Sequence, residues 1–90
     1  MERVVNYIKN HGSAESPVMN GEISSQLNMT TVNVRRLINQ ARREGIPICS
    51  CSKGYYYSED KTDILETIDS LMSRTISVEK AISGLLTALR

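Results

Sequence analysis

The apolar positions of this chain repeat with the period of an α-helix in four stretches, and one stretch between them reads as strand. In Glu2 to Asn10, Val4, Val5 and Ile8 fall near one helical face with Tyr7 beside them, and Gly12 marks a stop. Ser13 to Ser16 is loop by composition. Pro17 biases its neighbourhood away from helix, so Pro17-Val18-Met19 predicts a brief extended segment. A second helix is expected from near Asn20, a good cap, burying Ile23 and Leu27 at i and i+4 before Asn28-Met29 breaks it.

The third helix, Thr31 to Glu44 with Thr30 as its cap, carries the clearest stripe. With each residue advanced by about 100°, Val34, Leu37, Ile38 and Ala41 gather on one side. The opposite side holds Val32, Arg36, Asn39 and Arg43, flanked by Arg35, Gln40 and Arg42. Gly45 is suited to a left-handed residue ending the helix. Two β-prone runs follow, Ile46 to Ser50 and Tyr55 to Ser58, separated by the small polar segment Cys51-Ser52-Lys53-Gly54. They predict a hairpin, with Pro47 confining the first strand to an edge or a start. Hairpin and Pro17 to Met19 segment together can cover one end of a three-helix core. In a chain without Trp or Phe, Tyr55, Tyr56 and Tyr57 are expected to fill space between hairpin and helices; the alternative is a platform for stacking on bases.

From about Asp60 onward there is no proline and a single glycine, Gly84. Asp60, Asp63 and Glu66 suit the positive end of a helix dipole. Ile64, Ile68, Leu71, Thr75, Val78, Ile82, Leu85 and Leu89 repeat at alternating spacings of four and three, the heptad pattern of a coiled-coil seam. One flank holds Leu65, Met72, Glu79 and Leu86, the other Thr67, Arg74, Ala81 and Ala88. An apolar face this broad, with small residues beside it, points to a close antiparallel pair or a bundle rather than a simple parallel zipper. The first turns, around Ile64, Leu65 and Ile68, are expected to pack on the preceding domain. The remainder, with Leu71, Met72, Val78, Ile82, Leu85, Leu86 and Leu89, is expected to pair with another chain. The alternative is a helix that bends near Ser73 to Ser77 or at Gly84 and folds back.

Length and charge narrow the functions available. A chain of 90 residues, 40% hydrophobic, builds one small core, here residues 1–58, with an appended helical region, 59–90. A catalytic cleft is not expected, and neither is a metal or cofactor: His11 has no nucleophile or carboxylate partner at a motif spacing. Cys49 and Cys51 lie too close in sequence for an unstrained disulfide, so reduced side chains on a strand are expected. Net charge is +1, but basic residues outnumber acidic ones through Tyr57 and the balance reverses from Ser58, which assigns any anion binding to the first part. Met1-Glu2-Arg3-Val4-Val5 lacks the apolar core and cleavage site of a signal peptide, and a cytoplasmic setting, in a bacterial cell or a phage-infected host, is expected.

Over residues 2 to 58 the chain resembles a winged helix-turn-helix domain of the short bacterial and phage type found at the N-terminus of biotin-operon repressors. Gly21-Glu22-Ile23-Ser24-Ser25-Gln26-Leu27-Asn28-Met29-Thr30 resembles the supporting helix and turn, and Val34-Arg35-Arg36-Leu37-Ile38 the interior of the recognition helix. Gly45-Ile46-Pro47-Ile48 and Lys53-Gly54-Tyr55 resemble the entry to and exit from the wing. The departure is Asn28, where such domains often have glycine; asparagine tolerates positive φ. The resemblance implies a mainly α fold with a small β hairpin, and binding of double-stranded DNA with the third helix in the major groove.

Side-chain chemistry singles out the same surface. Arginine pairs bidentately with guanine, asparagine with adenine, and an exposed valine near a helix start meets a thymine methyl, so Val32, Arg36 and Asn39 are the expected base readers. Thr30, Thr31, Arg35, Gln40, Arg42, Arg43 and Lys53 are expected at phosphates or on the wing. The expectation is a sequence-specific DNA-binding regulator acting as a dimer or tetramer through its C-terminal helix. The alternative is a protein-interaction or assembly module in phage replication, packaging or antirepression, motivated by the near-neutral charge.

Overall fold

The computed structural model describes residues 1–89; Arg90, the last residue of the expected helical region, lies outside the described residues. The chain is mainly helical with one two-stranded hairpin: α1 (Glu2–His11), α2 (Asn20–Leu27), α3 (Thr31–Arg43), β1 (Ile48–Cys51), β2 (Gly54–Tyr57) and α4 (Lys61–Ala88). Val4, Val5 and Ile8 of α1, Ile23 of α2, and Val34, Leu37, Ile38 and Ala41 of α3 are buried together with Val18 and Ile48. Each helix therefore contributes the face that its apolar spacing assigns to it.

The joints between helices follow from local chemistry. Asn28 ends α2 at φ 53°, the left-handed conformation that asparagine tolerates, and turns the chain sharply toward α3. Thr30 Oγ1 accepts from the Asn33 backbone N–H at 3.1 Å, satisfying one free donor of the first turn of α3. At the far end Gly45 takes φ +87°, Gly45 N–H donates to the Arg42 carbonyl and Ile46 N–H to the Ala41 carbonyl. That paired closure is a Schellman motif, and it aims the chain from α3 into the hairpin. Asn20 departs from expectation: it is the first residue of α2 and does not cap it. Its Nδ2 donates instead to the Thr31 carbonyl at 3.2 Å and ties the start of α2 to the start of α3.

β1 and β2 pair antiparallel with Ile48 opposite Tyr57 and Cys51 opposite Gly54, leaving Ser52-Lys53 as the tip. Val18 extends this ribbon by one bridge, exchanging both backbone hydrogen bonds with Tyr55 at 2.8 and 2.7 Å. The extended segment at Pro17 thus forms a minimal third strand. The Val18 carbonyl lies so near Gly54 that an added Cβ would clash with it, which excludes any side chain there. The tyrosines alternate: Tyr56 is buried opposite Cys49, while Tyr55 and Tyr57 pack half-buried against the helical core. Lys9 Nζ sits 4.6 Å from the Tyr57 ring centre and fastens α1 to β2. Cys49 is buried and Cys51 exposed, both as free thiols.

α4 runs unbroken for 28 residues, through Ser73 to Ser77 and through Gly84. Asp60 caps it, its carboxylate accepting from the Thr62 and Asp63 backbone N–H groups. Its first turns lie on β1, with Ile64 half-buried there, but the contact face is turned toward Thr67 and away from Leu65. Leu65 points to solvent at 64% exposure and Ile68 is 46% exposed, whereas Thr67 is buried. The reason is the open edge of β1. Ser50 N–H faces away from β2, and Thr67 Oγ1 accepts from it at 3.2 Å while donating to the Asp63 carbonyl at 3.0 Å. Satisfying a strand-edge donor decides the helix rotation over the burial of one more leucine. No helix among the described residues is long and apolar enough to cross a membrane.

Candidate nucleic-acid interface

With the apolar stripe of α3 buried, its outward residues are set by geometry. Val32, Arg36, Asn39 and Arg43 are all exposed on one side, opposite Val34, Leu37, Ile38 and Ala41, and Arg35 stands exposed beside them. Thr31 and Asn33 are exposed at the start of the helix, where free backbone N–H groups and the positive dipole end add to the attraction for anions. Gln40 is half-buried on the flank across the wheel from Arg35. Lys53 is exposed at the hairpin tip.

Among the described residues, the arginine hydrogen bonds are those of Arg3 and Arg42. Arg35, Arg36 and Arg43 thus leave their guanidinium groups presented to solvent. Their cost of dehydration on meeting phosphate or base is that of surface groups, and no internal bond must first be broken.

Arg42 belongs elsewhere. Its Nε donates to the Ile48 carbonyl at 2.9 Å and its Nη2 to Ser50 Oγ at 3.2 Å, and its guanidinium lies 5.8 Å from the Tyr55 ring centre. Partial burial lowers its pKa from the usual arginine value, a pull only partly offset by Tyr55 and Cys49. On the helical wheel Arg42 lies next to Ile38, so its stem runs along the core toward β1. It braces α3 against the hairpin, so its donors are already engaged, unlike those of Arg35, Arg36 and Arg43. Thr30 is also partly committed, since its hydroxyl oxygen already caps α3.

Three side chains, in roles that the sequence does not signal, hold this surface in position. Arg3 Nη2 donates to the Leu27 carbonyl at 3.0 Å, anchoring the last turn of α2 to α1. Ser24 Oγ donates to the Met29 carbonyl and closes the turn between α2 and α3. Asn20 links the helix starts. Polar residues at 24, 5 and 11 positions' separation from their partners carry no periodic signal, so none was legible before the helices were placed. Tyr7 adds a further strut, its hydroxyl donating to Glu22 at 2.6 Å; that bond raises the Tyr7 pKa and occupies the carboxylate nearest the start of α2.

The arrangement is a convex helix presenting three unengaged guanidinium groups, an amide and a methyl-bearing side chain, together with a cationic hairpin tip. Comparison with protein-family models, with curated proteins and with solved structures finds no match to this chain.

Proposed function

We propose that this chain is a sequence-specific double-stranded DNA-binding protein of the winged helix-turn-helix type, a prokaryotic or phage transcriptional regulator that acts as an oligomer through α4. The observation that carries the reading is the outer face of α3. Val32, Arg36, Asn39 and Arg43 form a single row opposite the buried stripe, on the helix that follows the left-handed turn at Asn28. The major groove of B-DNA, about 12 Å wide, admits one helix, and this row carries the donors and the apolar group needed to distinguish bases. Arg36 and Asn39 serve as readers with Val32 against a thymine methyl. Arg35, Arg43, Thr31 and, at the tip, Lys53 serve phosphates.

The apolar face of α4 supports the oligomeric part. A single helix reads a few base pairs, and a regulator gains specificity by holding two such helices at a fixed spacing.

The test is DNA retention measured across a salt series, on duplexes enriched by selection and on random duplex. The expected result is a preferred sequence and an affinity that falls steeply as salt rises. R36A/R43A should weaken binding by roughly a hundredfold or more with the fold unchanged by circular dichroism. Equal affinity in the double variant, or no retention at low salt, refutes the reading and favours a protein partner for this face.

A further inference from the structure

A cleft of about 260 Å³ separates α4 from the link between α3 and β1. Gly45, Ile46, Pro47 and Ile48 form one wall, and Ile64, Ile68 and Leu71 the other. It has room for roughly two aliphatic side chains at protein packing density. The cleft opens onto the seam of α4, because Ile64, Ile68 and Leu71 are also the first three seam positions. The face is largely uncovered: eight large apolar side chains from Leu65 to Leu89, leaving aside Ile76 on another face, are between 46% and 83% exposed. Together they expose on the order of 1,000 Å², above the ~800 Å² per partner of a stable interface and the ~300–600 Å² of an ordinary largest surface patch.

We propose that the occupant of this cleft is the C-terminal end of α4 from a second copy, in an antiparallel pair whose register is set over the whole helix. The proposal rests on the self-association part of the functional reading above and specifies its geometry.

Orientation follows from where the body sits. The body lies against the N-terminal turns of α4, on the same side as the seam. In a parallel pair both bodies would lie at one end and between the two helices, competing for the same space. In an antiparallel pair each body lies opposite the free end of the other helix, where its cleft is open.

Register follows from charge. One alignment stacks Ile64 on Leu89, Ile68 on Leu85, Leu71 on Ile82 and Thr75 on Val78, using every seam position in both copies. In it Leu85 and Leu89, 69% and 83% exposed in the single chain, enter the cleft beside Ile68 and Ile64. The flanks then set Leu65 beside Leu86, Arg74 beside Ala81 and Met72 beside Glu79, with no like charges facing, while Thr67 stays against β1. Sliding by one heptad toward the C-termini brings Glu79 against its own copy and leaves the cleft empty. Thr75 fits this seam because its hydroxyl already donates to the Leu71 carbonyl at 3.2 Å. The two copies of Thr67, where each body is attached, stand about 30 Å apart along the axis. That is close to the ~34 Å helical turn of DNA between half-sites.

The test uses the full chain with Cys51→Ser, which removes the exposed thiol; Cys49 is buried. Sedimentation equilibrium should give twice the 10.1 kDa chain mass. Leu71→Cys chains mixed with Ile82→Cys chains should form a mixed disulfide on oxidation, and each variant alone should cross-link little. Self-cross-linking of both single variants signals a parallel pair and overturns the proposal. L85E/L89E should raise the dimer dissociation constant roughly a hundredfold, since four carboxylates would be driven into apolar sites, and unchanged dimerisation overturns it equally. A monomer by mass refutes the pairing outright. Retention of selected duplex by that monomer would show the DNA-binding reading standing without it.

Discussion

Replacing Arg42 with alanine separates two roles that look the same in the sequence. The side chain makes two charge-assisted hydrogen bonds to the hairpin and lies over Tyr55. Hydrogen bonds to a charged group contribute about 1.5–3 kcal/mol each when sheltered, and less here because Arg42 is only half-buried; a cation–π contact adds about 0.5–1 kcal/mol. Removal also leaves the Ile48 carbonyl without this donor. The expected net loss is about 2 kcal/mol, which in a domain of this size lowers Tm by roughly 10 °C. Urea unfolding followed by circular dichroism measures the first quantity, and DNA retention at a temperature where the variant is fully folded measures the second. R42A should be destabilised yet bind within a few-fold of the parent, whereas R36A should be as stable as the parent and bind poorly. A stable R42A that has lost DNA affinity would refute the brace and return Arg42 to the phosphate contacts.

Two further outcomes follow from the α4 packing. Thr67→Val keeps the shape but removes the acceptor for Ser50 N–H, so it should cost about 1–3 kcal/mol in urea unfolding and loosen α4 from β1, seen as faster amide exchange at Ser50. Burial pushes the Tyr56 pKa up to about 12, with Asp63 adding to the shift. The unfolded phenol ionises near 10, so the folded state keeps its proton while the unfolded state loses it. The stability from Tyr56 is therefore complete below pH 10 and falls by up to about 2 kcal/mol as pH rises through 12. Tyr56→Phe should flatten that slope in a pH series of urea midpoints, and an unchanged slope would assign it to other groups.

What the sequence by itself determined is the set of elements and the faces they bury. Helical spacing at Val34, Leu37, Ile38 and Ala41 leaves only one side of α3 for solvent, and thus names Val32, Arg36, Asn39 and Arg43 as the outward row. The turn chemistry at Asn28, Thr30 and Gly45 was equally legible, because left-handed φ and a free N–H have few local solutions. The long C-terminal helix was legible for the same reason, since nothing in Lys61 to Ala88 forces a break.

Tertiary structure alone decided what the residues at the boundary of each stripe do. Arg42 lies between the buried and exposed sides of its wheel, and only the approach of β1 makes it a brace instead of a surface cation. Leu65 and Thr67 straddle the α4 seam in the same way, and the unpaired Ser50 N–H on the edge of β1 selects the threonine. Periodicity measures how often a position faces inward, but it is blind to where a neighbouring strand leaves a donor without an acceptor. The cleft beside Ile64, Ile68 and Leu71 has that origin too: turning α4 to satisfy one backbone N–H withdraws its apolar centre from the body and leaves it open.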